Sequence, residues 1–287
     1  KVVNNNYYEL GQLYEKLSKM ELSENKLEES REHYVSAAKC FKKAASEDHL
    51  DSMFRYAQFI EEGIIKNDGD DEKAKKLYRK AASMGHPGSI YKCAVMIEKS
   101  DDDSKSNVAR ATELYKKAAF LNYPDAMYRY AKILEDICMI KSDRQKAIEL
   151  YQKAANMNQI DAMYRYAQIL EEGFYVMADK SKALEFYRRA ANSDKLEYVK
   201  NYIDVTKSGR LGIINKEEAI KYEKIAKQIE AREQIAKRIQ AAKEQAAKDQ
   251  AAKAKSAKKQ KKAAKQQQQQ QEQEQVLDAR DQNWVRK

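Results

Sequence analysis

Apolar residues recur along this chain at steps of one, three and four, broken by short polar segments. After Asp161, the residues Ala162, Met163, Tyr166, Ala167 and Leu170 share one face of a helix. Gly173 lets that helix stop, because glycine adopts the left-handed cap conformation without strain. Asp179 or Ser181 is placed to cap a second helix by accepting a bond from its free amides. Ala183, Leu184, Tyr187, Ala190 and Ala191 form the apolar stripe of that helix. Its paired alanines let the backbone approach a neighbouring helix closely, and Tyr187 fills the groove that remains. Asn192-Ser193-Asp194 ends the unit. The same pattern predicts helix pairs near 51–63 with 70–84, 88–99 with 107–121, 125–139 with 143–157, and 195–207 with 215 onward. Pro87 and Pro124 fall between units, where proline ends one helix and suits the first turn of the next. In the N-terminal unit, Leu10-Gly11-Gln12-Leu13-Tyr14 starts the first helix and Arg31 to Ser46 forms the second. The connecting segment there is expected to be about nine residues longer than elsewhere.

These units are copies of one another. Tyr78-Arg79-Lys80-Ala81-Ala82 returns as Tyr115-Lys116-Lys117-Ala118-Ala119, Tyr151-Gln152-Lys153-Ala154-Ala155 and Tyr187-Arg188-Arg189-Ala190-Ala191. An earlier copy reads Phe41-Lys42-Lys43-Ala44-Ala45. A staggered block, Met53-Phe54-Arg55-Tyr56-Ala57, returns as Met127-Tyr128-Arg129-Tyr130-Ala131 and Met163-Tyr164-Arg165-Tyr166-Ala167. The period is 35 to 37 residues. Repetition on this scale signals stacked supersecondary units, and such stacks present surfaces to partners rather than enclosing a substrate. The last unit is degenerate around Tyr222-Glu223-Lys224-Ile225-Ala226, as a terminal repeat should be.

Composition agrees with a helical chain: charged residues make up 35%, against only eight glycines and two prolines. No apolar run approaches the roughly 18 residues that span a bilayer, so no membrane contact is expected. No secretory leader is visible, although the chain opens with Lys1 rather than Met. Cys40, Cys93 and Cys138 lack a CxxC spacing and are expected to be reduced, buried thiols of an intracellular protein.

The net charge of +10 is unevenly placed. Residues 234–265 hold eleven Lys/Arg against Glu244 and Asp249, which is +9 and leaves +1 for the rest. Among these cations are Lys237, Arg238, Lys243, Lys248, Lys253, Lys258, Lys259, Lys261 and Lys262. Asn215 and Glu218 have capping-box spacing, and no Gly or Pro follows up to Lys265. A helix over 215–265, about 75 Å long, is expected. Its alanine pentads drift around the rod and so argue against a heptad coiled coil. Only Ile225, Ile229, Ile235 and Ile239 offer an apolar contact, to the last repeats or to a partner. This arm reads either as a solvated spacer or as a surface lying against something acidic. RNA phosphates and an acidic protein lattice such as tubulin are the two acidic candidates. No RNA-reading motif is present. A Gln-rich segment and tail, 266–287, follow, with Trp284 as a docking anchor or part of a free tip.

The helix pairs, their period and their motifs resemble the Sel1-like repeat family, a relative of the tetratricopeptide repeat. Leu10-Gly11 followed by Tyr14, the connector glycines Gly63 and Gly173, Lys182-Ala183 and Tyr187-Arg188-Arg189-Ala190-Ala191 carry the likeness. It covers roughly residues 7–226. Ala57, Ala94, Ala131 and Ala167 stand where that family usually has glycine. The resemblance implies an all-α fold, a right-handed α-α superhelical solenoid of about six helix pairs over 1–214; the residues that follow add the one long C-terminal helix. It also implies adaptor and scaffold work in protein complexes, with no catalytic residues to transfer.

The chain offers little chemistry of its own. His33, His49 and His86 have no partner at metal-ligand spacing, and there is no phosphate-binding loop or nucleophile elbow. No enzyme activity, cofactor, metal or small-molecule substrate is therefore expected. Arg55, Arg129 and Arg165 form one column and Glu61, Glu98, Glu135 and Glu171 another. These columns read as rungs of inter-repeat ion pairs or as a site for a charged peptide. Tyr128 and Tyr164 read first as packing and then as partner contacts. The expected role is a non-enzymatic scaffold, cytoplasmic and associated with the cytoskeleton or axoneme. The alternative is a ribosome- or RNA-associated factor whose arm follows phosphates.

Overall fold

The structure is a computed structural model that describes residues 2–249, apart from residues 25, 66–69, 101–104, 138–140, 174, 213 and 246–247. Twelve helices and no strand occur among the described residues. They pair as α1 (Val2–Ser23) with α2 (Leu27–Ser46), α3 (Leu50–Glu61) with α4 (Asp70–Ser83), and α5 (Pro87–Glu98) with α6 (Lys105–Phe120). The series continues with α7 (Pro124–Ile137) and α8 (Lys141–Asn156), then α9 (Ile160–Glu172) and α10 (Lys180–Ala191). After these come α11 (Leu196–Ser208) and α12 (216–245). Each helix from α1 to α10 packs on the next in sequence, which is the arrangement of an α-solenoid.

The core of each unit repeats with the sequence. Phe41, Tyr78, Tyr115, Tyr151 and Tyr187 are all buried on the second helices, beside the alanine pairs. Met53, Ile90, Met127, Met163 and Val199 occupy one buried position on the first helices. Ala57, Ala94, Ala131 and Ala167 are fully buried, so the alanine that replaces glycine is accommodated at each of these crossings.

The alanine pairs also close the turns between units. His49, His86, Tyr123 and Gln159 donate their backbone amides to the carbonyls of Ala44, Ala81, Ala118 and Ala154 at 3.0–3.2 Å. The residue before each adopts a left-handed conformation: Asp48, Gly85, Asn122 and Asn158 have φ of 65°, 92°, 59° and 64°. This is a Schellman closure, and Asp, Asn and Gly are the residues that tolerate it. Pro87 and Pro124 then occupy the first positions of α5 and α7.

The N-terminal unit differs from expectation. Its extra residues lengthen α1 and α2 rather than the connection, and Ser30 Oγ donates to the Ser18 carbonyl at 2.8 Å between the two helices. The run Glu15 to Ser30 contains no Gly or Pro and many helix-favouring Glu, Lys and Leu residues, so both helices extend into it and only a short turn after Ser23 separates them. By contacts, the chain divides into Lys1–Ala219 and Ile220–Lys287, a boundary that falls inside α12 rather than at 214/215, where the sequence places it. Asn215 caps α12 reciprocally: it accepts from the Glu218 amide at 3.0 Å and donates to the Glu218 carboxylate at 3.1 Å.

Candidate partner-binding surfaces

The Glu column is the centre of a node that recurs in four places, and the Arg column reaches two of them, at Glu98 and Glu135. Each of its glutamates lies in the last turn of a first helix, where the helix dipole disfavours negative charge. Two donors offset this. One is the buried tyrosine of the same unit: Tyr78, Tyr115, Tyr151 and Tyr187 donate to Glu61, Glu98, Glu135 and Glu171 at 2.9, 2.6, 2.8 and 2.6 Å. The other comes from the following unit. Lys92 reaches Glu61 at 2.7 Å, Arg129 reaches Glu98 at 3.2 Å, and Arg165 reaches Glu135 at 3.1 Å. In the last node the column position is Asn201, and Arg210 from the turn after α11 takes the place, 2.9 Å from Glu171. Arg55 pairs with Glu15 of α1.

The electrostatics follow the geometry. Burial alone would push the Glu135 carboxyl up, but the hydrogen bonds from Arg165 and Tyr151 outweigh it and hold the group below the usual range. Glu61 is lowered in the same way, by Lys92 and Tyr78 against burial. Burial and the adjoining carboxylate push Tyr78, Tyr115, Tyr151 and Tyr187 far above the normal phenol value. Arg165 also bonds Gln168 at 3.1 Å. Arg55, Arg129 and Arg165 thus pair within the repeats as rungs.

Tyr128 and Tyr164 belong to an aromatic ladder. Tyr8, Phe54, Tyr91, Tyr128 and Tyr164 lie 5.6–6.0 Å from Phe41, Tyr78, Tyr115, Tyr151 and Tyr187 of their own units. Tyr8, Phe54 and Tyr91 also meet His49, His86 and Tyr123 of the next unit at 4.5–5.3 Å. Tyr164 stacks on Tyr198 at 4.3 Å. This ladder was not legible as such, although its spacing was.

The histidines are structural donors and acceptors. Nδ1 of His49 and of His86 accepts from the amides of Ser52 and Ser89, capping α3 and α5. His33 bonds Glu21 at 2.7 Å. Cys40 and Cys93 are half-buried rather than buried, because each lies at the margin of its helix stripe. Burial still raises both thiols. Cys138 lies outside the described residues. Among the described residues no cluster of His, Cys, Asp or Glu is arranged to hold a metal, and no helix is long and apolar enough to cross a membrane.

In α12, Tyr222, Ala226 and Ile229 are buried and Ile225 is half-buried, whereas residues 231–245 are all exposed. Lys237, Arg238 and Lys243 stand on this exposed stretch, and Lys248 is exposed beyond it. Ile235 and Ile239 are exposed as well. Gln240 braces Glu244 at 2.9 Å along the helix. Lys253, Lys258, Lys259, Lys261, Lys262 and Trp284 lie outside the described residues.

Comparison with known proteins identifies the repeat. The Sel1 repeat family profile matches residues 7–49, 50–86, 87–123, 124–159 and 160–195. A Sel1 repeat protein from Oxalobacter formigenes is similar in structure, with a TM-score of 0.56 and 20% identity. The match covers 76% of this chain and 87% of that one. The protein c5321, a protective antigen of uropathogenic Escherichia coli with an SLR fold, has a TM-score of 0.54 and 20% identity, covering 78% of this chain and 53% of its own. No curated protein matches the chain by sequence.

Proposed function

Because this chain belongs to the Sel1 repeat family, whose repeats mediate protein–protein interaction, we propose that it is a non-enzymatic scaffold fastened to a large acidic protein assembly by its basic arm. The observation that carries this reading is the arm itself. Its sequence holds eleven cations against two acids over 234–265, and the described part at 231–245 is exposed throughout. Net charge of one sign at that density is a steering and docking surface. Lysines spread around a helix suit a lattice that presents carboxylates repeatedly, and tubulin polymer is the lattice to test. This reading puts the protein in the cytoplasm, on cytoskeletal or axonemal filaments.

Co-sedimentation of the full chain with polymerised tubulin tests it. The expected result is saturable binding that weakens with salt and is lost when Lys237, Arg238, Lys243 and Lys248 are changed together to glutamine. Retention of binding in that variant, or no binding at low salt, contradicts it. An RNA gel-shift at the same salt concentrations reports on the competing partner. Tight RNA binding with a steep salt slope, and no tubulin binding, replaces this reading with a phosphate-following one.

A further inference from the structure

One position breaks the repeat pattern in a way that no packing need explains. The residue five places after the buried tyrosine is Ser83, Asn156 and Asn192 in three units, but Phe120 in the unit of Tyr115. Phe120 is 69% exposed at the end of α6. Beside it lies a cleft of about 240 Å³ between α6, α7 and α8, floored by Met127 and Tyr130. That volume is below the roughly 300 Å³ at which small-molecule sites begin, and it suits a single anchoring side chain.

The cleft is basic. Lys116, Lys146 and Lys153 line it against one carboxylate, Glu149. Lys116 contacts Glu113 at 3.4 Å. Among the described residues neither Lys146 nor Lys153 makes an ion pair. Lys146 sits over a tyrosine ring as its repeat equivalents Lys73 and Lys182 do, whereas Lys153 differs from two of its own equivalents. At the position of Lys153, Lys80 bonds Asp48 at 2.5 Å and Arg189 bonds Asn158 at 2.9 Å, each at the turn of the preceding unit. Lys153 lines the cleft together with its own turn residue, Asn122, which lacks the carboxylate that Asp48 offers Lys80. Lys146 sits over the rings of Phe120 and Tyr130 at 5.7 and 5.5 Å. The site therefore combines an exposed aromatic edge, an apolar floor and two cations with no carboxylate partner.

We infer that this cleft is a second docking site, for an acidic peptide segment carrying one aromatic anchor. The anchor would stack on Phe120 and enter the cleft over Met127 and Tyr130, while flanking carboxylates meet Lys146 and Lys153. An anchor side chain seated in a pocket and ringed by contacts that exclude water carries much of the energy of a protein interface. The inference rests on the scaffold reading but uses residues remote in sequence from the arm.

The test is fluorescence anisotropy of the full chain with a labelled peptide, Glu-Asp-Glu-Phe-Glu-Asp-Glu, and with its central-alanine counterpart. The phenylalanine peptide is expected to bind. Affinity should fall about tenfold or more with central alanine, with Phe120→Ser and with Lys153→Gln, the loss that marks a hot spot. Phe120→Ser should melt like the wild type, since the ring is exposed; Lys146→Gln provides a further independent variant. Absence of binding overturns the inference, as does binding unchanged in both Phe120→Ser and Lys153→Gln. Binding lost only when the arm lysines are neutralised shows the arm to be the receptor and removes the cleft. Tubulin co-sedimentation of the same variants is expected to be unchanged, so the two readings fail separately.

Discussion

Arg165 and Glu135 belong to successive repeats, and their side chains meet: Arg165 Nε lies 3.1 Å from a Glu135 carboxylate oxygen. Tyr151, of the same repeat as Glu135, donates to that carboxylate at 2.8 Å. One carboxylate thus ties the two helices of its own unit together and ties that unit to the next. The two bonds are unequal in worth. The ion pair is about one-third exposed on both sides, so it stabilises by about 1 kcal/mol or less. The tyrosine is buried, and a hydrogen bond from it to a charged group is worth about 1.5–3 kcal/mol.

Tyr151→Phe isolates the hydroxyl. Phe41 already occupies the equivalent position in the first unit and is fully buried there, so the ring shape is tolerated. Stability should fall by about 1.5–3 kcal/mol in denaturant unfolding. Tyr151→Ala should cost more, about 3–5 kcal/mol, because it also leaves a cavity. An unchanged stability in Tyr151→Phe contradicts the role given to the hydroxyl.

A double-mutant cycle on Glu135→Gln and Arg165→Gln measures the rung. The coupling energy is expected to be about 0.5–1 kcal/mol and to shrink with added salt. A coupling that is large and independent of salt contradicts a partly exposed pair.

Stability should fall at both ends of the pH scale. Glu61, Glu135 and Asp161 are held below their ordinary values despite burial, by donors from Lys92, Arg165 and Lys195 among others. Their contribution is complete above the unfolded carboxylate value of about 4 and is lost as pH falls through the lower folded values. The buried tyrosines are shifted upward by burial and by their carboxylates. Their contribution is complete below about pH 10 and is lost as pH rises beyond it. Thermal melts across pH, with tyrosinate absorbance followed at the alkaline end, check both limbs. Tyr78, Tyr115, Tyr151 and Tyr187 should ionise only as the chain unfolds.

Two glycines separate backbone strain from crowding. Gly85 has φ 92° and open space where a Cβ would stand, whereas Gly173 has φ 69° and a Cβ there would lie 2.8 Å from that of Ala178. Gly85→Ala should cost about 1–3 kcal/mol through strain alone. Gly173→Ala should cost more, because Ala178 must also move. The reverse order in thermal melts contradicts this assignment.

The helix pairs were legible because the tyrosine and alanine positions repeat at a fixed period, and a stack must place equivalent residues equivalently. The columns Arg129, Arg165 and Glu98, Glu135 were legible for the same reason. Their pairing was less so, since two stacked columns of opposite charge can face each other or face a ligand. The tyrosine hydroxyl as second donor was not legible, because filling the groove beside the alanine pair is reason enough for an aromatic at Tyr151. Asp48, Gly85, Asn122 and Asn158 did carry a signal for the turns: three chemically different residues share only their tolerance of a left-handed backbone. The cleft at Phe120 could have been sought as a departure from the repeat, at a position where the other copies are polar. The extra residues of the first unit were misplaced because added length between motifs does not say whether it enters a loop or a helix.

The central claim is that the repeats and the arm hold a protein assembly together. Lysine-directed crosslinking with mass spectrometry, on the full chain in cell extract, tests it most directly. The account predicts crosslinks from Lys237, Lys243 and Lys248 to acidic surfaces of one filament-forming assembly, and from the repeats to a second protein. Crosslinks from those lysines that stay within this chain, or that reach only RNA-bound complexes, contradict it.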